Sequence, residues 1–270
     1  MEDIYNPNSL DTLCAALAES IGIEPPAQAA KANPDLLEFV NKSFEGEKAD
    51  RIIMYNPDAV AQWVSDKYKD LMCDMYELAG LRLPLCTVMP SVTPVCFGTM
   101  YTGAQPEVHG IRRYEKPVIK IDTIFDALLR AGKKVALIAQ TECSVAKIFL
   151  ERDMDYFIYD TTGECIAKAA ELIIADKHDF IVVYNGNYDA YMHRDGTEAI
   201  KPLGELRANT EAFSVLSNLV KNNWKSHNTL IGFAMDHGCH DIDGGRGSHG
   251  LDMPEDLNIA HFYQCYPREK

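Results

Sequence analysis

A chain of 270 residues, of which 47% are hydrophobic, is long enough to bury the core of one large domain, so we expect a well-folded globular protein. Its formal net charge of −14 argues against binding to nucleic acid, because that requires clustered lysine and arginine. The start of the chain has no signal-peptide pattern, and no apolar run approaches the roughly 20 residues that span a bilayer, so we expect a cytoplasmic protein with no membrane contact. The eight cysteines are scattered, so we expect reduced thiols.

The first fifty residues differ from the rest because they lack a convincing strand. Two segments in this part, 8–22 and 34–43, have helical character. We therefore expect residues 1–50 to form a helical extension packed on the core, and residues 51–270 to form the main domain.

From residue 51 onward, apolar strand-like runs alternate with helical segments. The predicted strands are 51–55, 83–89, 134–139, 180–184 and 229–235, and the predicted helices are 58–79, 93–103, 121–131, 163–176 and 204–222. Such alternation is typical of an α/β fold in which helices cover both faces of a mostly parallel sheet. The sequence therefore predicts a three-layer α/β/α sandwich.

Acidic residues follow three of the apolar runs. Asp58 comes soon after the first run, Asp189 follows run 180–184, and Asp236 directly follows run 229–235. Ligands of open α/β sheets bind outside the carboxyl ends of the strands. We expect the three carboxylates to meet at one edge of the sheet.

Histidines accompany two of these carboxylates. His193 stands four residues after Asp189 and shares a face with it if the segment is helical, His237 directly follows Asp236, and His249 lies in a glycine-rich loop. Each histidine alone is explained equally well by a solvated turn or a surface loop. Together with the carboxylates they predict a metal centre.

The set of three carboxylates and three imidazoles contains no thiolate and suits Zn²⁺, Mn²⁺ or Fe²⁺. Six protein ligands are too many for one catalytic ion with an open position, but they divide naturally between two ions roughly 3.5–4 Å apart. The sequence thus predicts two divalent ions, with Zn²⁺ as the first choice.

A hydroxyl nucleophile is available at Thr93, which is followed by Pro94 and a predicted helix that ends near Gly103. We assign Thr93 to the N-cap and Pro94 to the first helical position. The free N–H groups of a helix N-terminus attract anions and help a hydroxyl lose its proton. The residues alone leave two alternatives open: Thr93 only caps the helix, or Ser91 is the nucleophile.

This region resembles a known pattern. The residues Pro90-Ser91-Val92-Thr93, followed by Thr102-Gly103-x-x-Pro106-x-x-His109-Gly110-Ile111, resemble the nucleophile segment of nucleotide pyrophosphatases/phosphodiesterases and phosphonoacetate hydrolases, both in the alkaline phosphatase superfamily. The resemblance spans about residues 50–262 and implies the alkaline phosphatase-like fold with Thr93 as the nucleophile. It also implies one metal held by Asp189, His193 and His249, and a second held by Asp58, Asp236, His237 and the Thr93 oxygen.

The resemblance implies a two-metal hydrolase that cleaves a phosphate mono- or diester, or a phosphonate, through a phosphothreonine intermediate. Alternatives are a phosphate mutase, a sulfatase, or a non-catalytic metal- or nucleotide-binding relative. Only 42 residues separate His193 from Asp236, which leaves no room for the large cap domain that the mutases use. Residues 92–96 lack the Cys-x-Pro-x-Arg motif of sulfatases. The expected substrate is a small phosphorylated or phosphonate compound.

One departure concerns the phosphoryl oxygen, which the family often binds with an asparagine about twenty residues after the nucleophile. This chain has Arg112-Arg113-Tyr114 there. Arg113 or Lys116 is a candidate replacement, with surface solvation as the alternative. Further candidates for lining the substrate pocket are Tyr114, Tyr191, Met192, Arg194 and His240. We expect His240 and Asp241 either to orient the ligands or to be solvated, and His109 to be structural; the sequence leaves the leaving group and the oligomeric state open.

Overall fold

The structure is a computed structural model that describes residues 4–270. Its helices are α1 (Thr12–Ser20), α2 (Pro34–Ser43), α3 (Gln62–Lys67), α4 (Cys73–Leu78), α5 (Thr93–Thr102), α6 (Pro106–His109), α7 (Ile124–Arg130), α8 (Ser144–Ile148), α9 (Thr162–Ala175), α10 (Asn187–Asp195), α11 (Ile200–Asn223) and α12 (Pro254–Leu257). Its strands are β1 (Arg51–Pro57), β2 (Leu81–Cys86), β3 (Val135–Gln140), β4 (Asp155–Tyr159), β5 (Phe180–Asn185), β6 (Thr229–Phe233), β7 (His240–Ile242), β8 (Arg246–Ser248) and β9 (Asn258–Tyr266). None of the described helices combines the length and the apolar character that a bilayer crossing requires.

Seven strands form the central sheet in the order β2-β9-β6-β1-β5-β3-β4. The five strands from β6 to β4 run parallel, whereas β9 runs antiparallel to both β6 and β2. Strands β1, β5 and β6 are buried almost throughout, as expected for parallel strands covered on both faces. The predicted mostly parallel sheet is confirmed.

The helices fall into two sets that cover the sheet. One set links α1, α2, α5, α7 and α8, and it contacts β2, β3 and β9. The other links α4, α9, α10 and α11, and it contacts β3 to β6 and β9. Buried side chains from the sheet and from both sets form one continuous hydrophobic core. The predicted three-layer α/β/α sandwich is confirmed.

The N-terminal segment joins the main core through α1 and α2. Helix α1 contacts α5 and α7, with Leu13 and Leu17 fully buried, and α2 contacts β2 and β9. The Ala30 N–H also donates a hydrogen bond to the Gly103 carbonyl at 2.7 Å, at the end of α5. Residues 1–3 of the expected N-terminal extension lie outside the described range.

Two local predictions are wrong. The helix predicted over 58–79 is two short helices, α3 and α4, because the chain turns away from the sheet at Ala59 (φ +61°) and turns again between the helices. No glycine or proline marks the second break in the sequence. Thr93 is the first residue of α5 and not its N-cap, because the extended residue is Val92 (φ −131°, ψ 146°).

The strand order determines where the site lies. Strand β1 is the central strand of the seven-stranded sheet, between β5 and β6. Parallel strands end at the same edge of the sheet, so the chain leaves Pro57, Asn185 and Phe233 close together. Asp58, Asp189 and Asp236 follow these strand ends within one to four residues.

Replacement of Gly103 tests how tightly the N-terminal segment packs against the end of α5. Gly103 has φ +68°, and a Cβ atom there would lie 2.6 Å from the Ala29 Cβ. Gly132 is a matched control, because it has φ +74° and no atom lies within 4 Å of the position that a Cβ would take. We expect Gly132→Ala to cost about 1–2 kcal/mol of backbone strain, and Gly103→Ala to cost a further ~1–3 kcal/mol of overpacking. Urea unfolding measures both; equal losses would contradict the fitted contact.

Candidate metal centre

Asp58, Asp236 and His237 form one group of ligand candidates at the carboxyl edge of the sheet. All three are at most 1% exposed. The His237 Nε2 atom lies 3.4 Å from Asp58 Oδ1 and 3.3 Å from Asp236 Oδ2. The His237 Nδ1 atom is 2.9 Å from the Gly238 carbonyl oxygen, which can only accept, so Nδ1 carries the hydrogen and Nε2 presents a lone pair to the carboxylates.

Asp189, His193 and His249 form the second group. Helix α10 places Asp189 and His193 one turn apart, with His193 Nε2 3.2 Å from Asp189 Oδ1. His249 Nε2 lies 3.4 Å from the same oxygen and 3.0 Å from His193 Nε2. The Nδ1 atoms of His193 and His249 are held by the carbonyl oxygens of Gly247 (3.0 Å) and Ser91 (2.8 Å). Both Nε2 atoms therefore point at one carboxylate.

The two groups adjoin each other, and Thr93 stands at their border. The rings of His237 and His249 stack with centroids 4.0 Å apart. Thr93, which begins α5 and is 4% exposed, places Oγ1 3.4 Å from both Asp58 Oδ2 and His237 Nε2. The structure thus brings together all seven residues that the sequence assigned to the metal centre.

The chemistry of the donors fits divalent cations. One oxygen of each carboxylate, namely Asp58 Oδ1, Asp189 Oδ1 and Asp236 Oδ2, is buried without a hydrogen-bond partner. Unpartnered buried carboxylate oxygens are costly and rare. Each lies beside an imidazole Nε2 atom, and the ligand atoms within each group lie within 4.8 Å of one another. A divalent ion in each group would satisfy these oxygens and nitrogens together.

In the buried group, low polarity favours neutral side chains. Burial and the charge of Asp189 raise the pKa of Asp58 to about 7. Burial and the charge of Asp58 raise the pKa of Asp236 well above its usual range. Burial and the charge of His249 hold the pKa of His237 well below its ordinary value. Without a cation, this group retains protons on its carboxylates.

The second group has the opposite charge distribution. Burial would raise the pKa of Asp189, but the adjacent imidazoles of His193 and His249 lower it below its usual range. The adjacent Asp189 carboxylate raises the pKa of His193. Burial opposes protonation of His249, yet its contact with Asp189 raises its pKa. These shifts favour an ionised carboxylate beside protonated imidazoles.

Tyr184, which the sequence reasoning missed, completes the surroundings of Asp58. Its hydroxyl donates a hydrogen bond to Asp58 Oδ2. Burial and the neighbouring Asp58 raise the pKa of Tyr184 well above its ordinary value, so it remains a donor. Gly186 gives the hydroxyl room, since a Cβ there would lie 2.7 Å from it. The available signal was that Tyr184 is the last residue of run 180–184, at the edge of the sheet where the acids lie.

The candidates for substrate binding are paired with other surface residues. The Arg113 side chain is 81% exposed and pairs with Glu115, and Tyr114 is 61% exposed with Lys116 over its ring. Tyr191 lies under the Arg194 guanidinium, about 200° around α10 from Asp189. Within residues 4–270, no hydrogen bond or ion pair joins Arg113, Tyr114 or Tyr191 to the seven clustered residues. Their roles remain predictions.

Other residues named from the sequence have clear surroundings. Burial lowers the pKa of His109 to about 4, and its Nε2 atom lies 3.1 Å from Thr99 Oγ1, as expected of a structural histidine. Ser91 is fully buried with an unpartnered hydroxyl, while its carbonyl oxygen holds His249. His240 bonds to Asp256 at 2.7 Å. Asp241 accepts from the Thr197 N–H and hydroxyl.

Comparisons with known proteins give matches among solved structures. The mouse ectonucleotide pyrophosphatase/phosphodiesterase 5 is 16% identical, with a TM-score of 0.56 over 72% of this chain and 58% of that one. An inactive threonine-to-alanine variant of the mouse protein, in complex with AMP, gives a TM-score of 0.58 at the same identity, over 72% and 59% of the two chains. Phosphonoacetate hydrolase from Sinorhizobium meliloti 1021, in complex with phosphonoformate, is also 16% identical, with a TM-score of 0.52 over 75% and 61%.

No protein-family model and no curated protein matches the chain. At 16% identity, the likeness to the solved structures concerns the fold, and it confirms the predicted alkaline phosphatase-like architecture. The chain spans about three fifths of the length of these structures.

Metal binding should strengthen with pH. Asp58, Asp236, His193 and His249 all have raised pKa values, so each must release a proton before it can act as a ligand. We expect the apparent Zn²⁺ affinity to rise at least about tenfold per pH unit between roughly pH 6 and 8. Chelator-competition titrations at three pH values measure this.

Asp58→Asn provides the matched comparison, because the amide carries no titrating proton. This variant should release fewer protons on binding Zn²⁺, as measured with a pH indicator in weakly buffered solution. An affinity that is flat with pH would contradict the assignment of protonated ligands.

Proposed function

We propose that this chain is a two-metal-dependent hydrolase that cleaves a phosphate mono- or diester, or a phosphonate, with Thr93 as the nucleophile. The observation that carries the proposal is the position of the Thr93 hydroxyl, 3.4 Å from both Asp58 and His237 at the border of two adjacent groups of ligand candidates. The shared fold with a pyrophosphatase/phosphodiesterase and a phosphonoacetate hydrolase supports this class of reaction.

In the proposal, Asp189, His193 and His249 hold one divalent ion, while Asp58, Asp236, His237 and the Thr93 oxygen hold the other. Zn²⁺ is the first choice because the donors are imidazoles and carboxylates, and Mn²⁺ or Fe²⁺ would suit the same atoms. The chemistry supplied by such ions is positive charge, which favours loss of the hydroxyl proton and stabilises negative charge on the phosphoryl and leaving oxygens.

The protein's own contribution is to position the nucleophile. Thr93 begins α5, so its Oγ1 atom sits where the first N–H groups of the helix favour negative charge. With an ester substrate, Oγ1 forms a bond to phosphorus as the bond to the leaving oxygen breaks, and the electron pair departs with that oxygen. With a phosphonate substrate the phosphorus–carbon bond breaks instead, and the carbon takes the electron pair and then a proton. Water then attacks the phosphothreonine and restores the Thr93 hydroxyl. The Tyr184 hydroxyl holds Asp58 Oδ2 during these steps and leaves Oδ1 free.

The substrate enters from the side of the second group. The side chains of His193 and Asp189 are 42% and 20% exposed, whereas those of Asp58, Asp236 and His237 are almost completely buried. We propose that the leaving group faces the exposed side, so that small phosphorylated or phosphonate compounds of different sizes can enter. AMP and phosphonoformate are the ligands of two of the similar structures.

The proposal includes a reducing, cytoplasmic setting and no nucleic-acid partner. All eight cysteines are free thiols, and five of them are buried. Free buried thiols are typical of proteins in reducing compartments. The charge of −14 opposes contact with a polyanion.

Replacement of the nucleophile is the direct test. Thr93→Ala should lower kcat by at least about a thousandfold, because the covalent step is lost, while the metal content stays that of the wild type. The assay uses p-nitrophenyl phosphate, bis-p-nitrophenyl phosphate, phosphonoacetate and p-nitrophenyl sulfate, with Zn²⁺ or Mn²⁺ restored after chelation.

Ser91→Ala is the control, because it removes the neighbouring hydroxyl and leaves the carbonyl that holds His249. It should retain turnover. Full activity in Thr93→Ala, or loss of activity only in Ser91→Ala, would transfer the role to Ser91, and no turnover of any substrate by the wild type would favour a binding protein.

The two ions should differ in lability. The group containing His193 is open to solvent, whereas the group containing His237 is buried, so we expect chelators to remove the first ion faster. His193→Ala should lower the metal content from two ions to one, as measured by elemental analysis of dialysed protein. Simultaneous loss of both ions from the wild type would contradict this order.

A further inference from the structure

Helix α12 holds the chain that follows His237. The Cys239 N–H donates to the Glu255 carbonyl at 3.0 Å, and the Gly238 N–H donates to the Asp256 carbonyl at 2.8 Å. A Cβ atom on Gly238 would lie 2.0 Å from the Glu255 carbonyl oxygen, so the two backbones touch without an intervening side chain. The segment that carries His237 is therefore fixed against α12 by its main chain.

The Asp256 side chain connects this segment to the loop that carries His249. Asp256 is fully buried. Its Oδ2 atom accepts a hydrogen bond at 2.8 Å from the N–H of Leu251, two residues after His249. Its Oδ1 atom lies 2.7 Å from Nδ1 of His240, three residues after His237. One carboxylate thus contacts both loops.

The same turn also contacts the chain that leads to the nucleophile. The Leu257 carbonyl accepts from the Thr87 N–H at 2.8 Å. The Thr87 hydroxyl in turn donates to the Asp236 carbonyl at 2.7 Å. Six residues after Thr87 the chain reaches Thr93. Helix α12 therefore contacts three chain segments that lead to or from the centre, while none of its residues belongs to the seven ligand and nucleophile candidates.

We propose that Asp256 is a positioning residue that fixes the His249 loop against the His237 segment and so sets the spacing between the two candidate metal positions. His237 and His249 belong to different groups, and their rings are stacked, so a shift of one loop changes the distance between the groups. The inference rests on the proposed two-metal function and assigns a role to a residue outside it.

A carboxylate is required here because two donors need two acceptor atoms. Leu251 presents a backbone N–H, which can only donate, and His240 presents Nδ1. An asparagine has one acceptor oxygen, so it can accept from either the Leu251 N–H or His240 Nδ1. Its NH₂ group then faces the other of the two, which is unfavourable unless the imidazole changes its tautomer. Asp256→Asn should therefore have a smaller effect than Asp256→Ala.

The experiment measures the affinities of both Zn²⁺ ions by chelator competition in Asp256→Ala, Asp256→Asn and the control Glu255→Ala. Glu255 lies on the same turn with an exposed side chain, and its carbonyl bond remains in the variant. We expect Asp256→Ala to weaken the ion of the His249 group by about 10–100-fold, with a much smaller change for the other ion and none in Glu255→Ala. Equal weakening of both ions, or none, would overturn the positioning role.

A second measurement needs no metal. Hydrogen exchange at the Leu251 amide in metal-free protein should accelerate in Asp256→Ala and stay at the wild-type rate in Glu255→Ala. An unchanged Leu251 rate would refute the role of Asp256. Wild-type protein that binds fewer than two ions would refute the proposed function instead. If Asp256→Ala does not fold, the metal titration is made on Asp256→Asn, where a smaller weakening confined to the ion of the His249 group is expected, and equal weakening of both ions, or none, overturns the positioning role.

Discussion

The structure depends on the gathering of three carboxylates at one edge of a parallel sheet. Asp58 and Asp236 are almost fully buried, and within residues 4–270 no lysine or arginine forms an ion pair with them or with Asp189. Like charges in such a place must be neutralised by protons, by imidazolium or by cations. The raised pKa of Asp58 reflects neutralisation by a proton, and the lowered pKa of Asp189 reflects neutralisation by the neighbouring imidazoles. The unpartnered carboxylate oxygens are free to bind cations.

The main chain orients the imidazoles around these carboxylates. All three histidines donate through Nδ1 to a backbone carbonyl, on Gly238 for His237, on Gly247 for His193 and on Ser91 for His249. Backbone acceptors fix the tautomer without depending on another side chain. Glycine is needed where the carbonyl approaches closely, since a Cβ on Gly247 would lie 2.9 Å from the backbone carbonyl oxygen of Met192. The glycine-rich loop is thus part of the geometry of the site.

Much of the fold and of the centre could be predicted because its signals are local. Alternating apolar runs indicated the sheet, and acids directly after those runs indicated the edge where Asp58, Asp189 and Asp236 meet. The role of Tyr184 could not be predicted, because it depends on a contact with Asp58, 126 positions earlier in the chain. The role of Asp256 could not be predicted either, because Asp256 contacts residues on both sides of a hairpin. In sequence, a tyrosine at the end of an apolar strand is indistinguishable from a core aromatic.

The two oxygens of Asp58 are not equivalent, and this bears on how Thr93 loses its proton. Oδ2, the oxygen nearest to Thr93 Oγ1, already accepts from Tyr184, whose raised pKa keeps it a donor. The Tyr184 hydrogen bond lowers the basicity of Oδ2, although burial raises the pKa of the carboxyl group as a whole. With a divalent ion bound, Asp58 would be a ligand through Oδ1, and its carboxylate would not be free to accept the Thr93 proton. Within the proposed mechanism, loss of the Thr93 proton depends on positive charge at the site and on the start of α5.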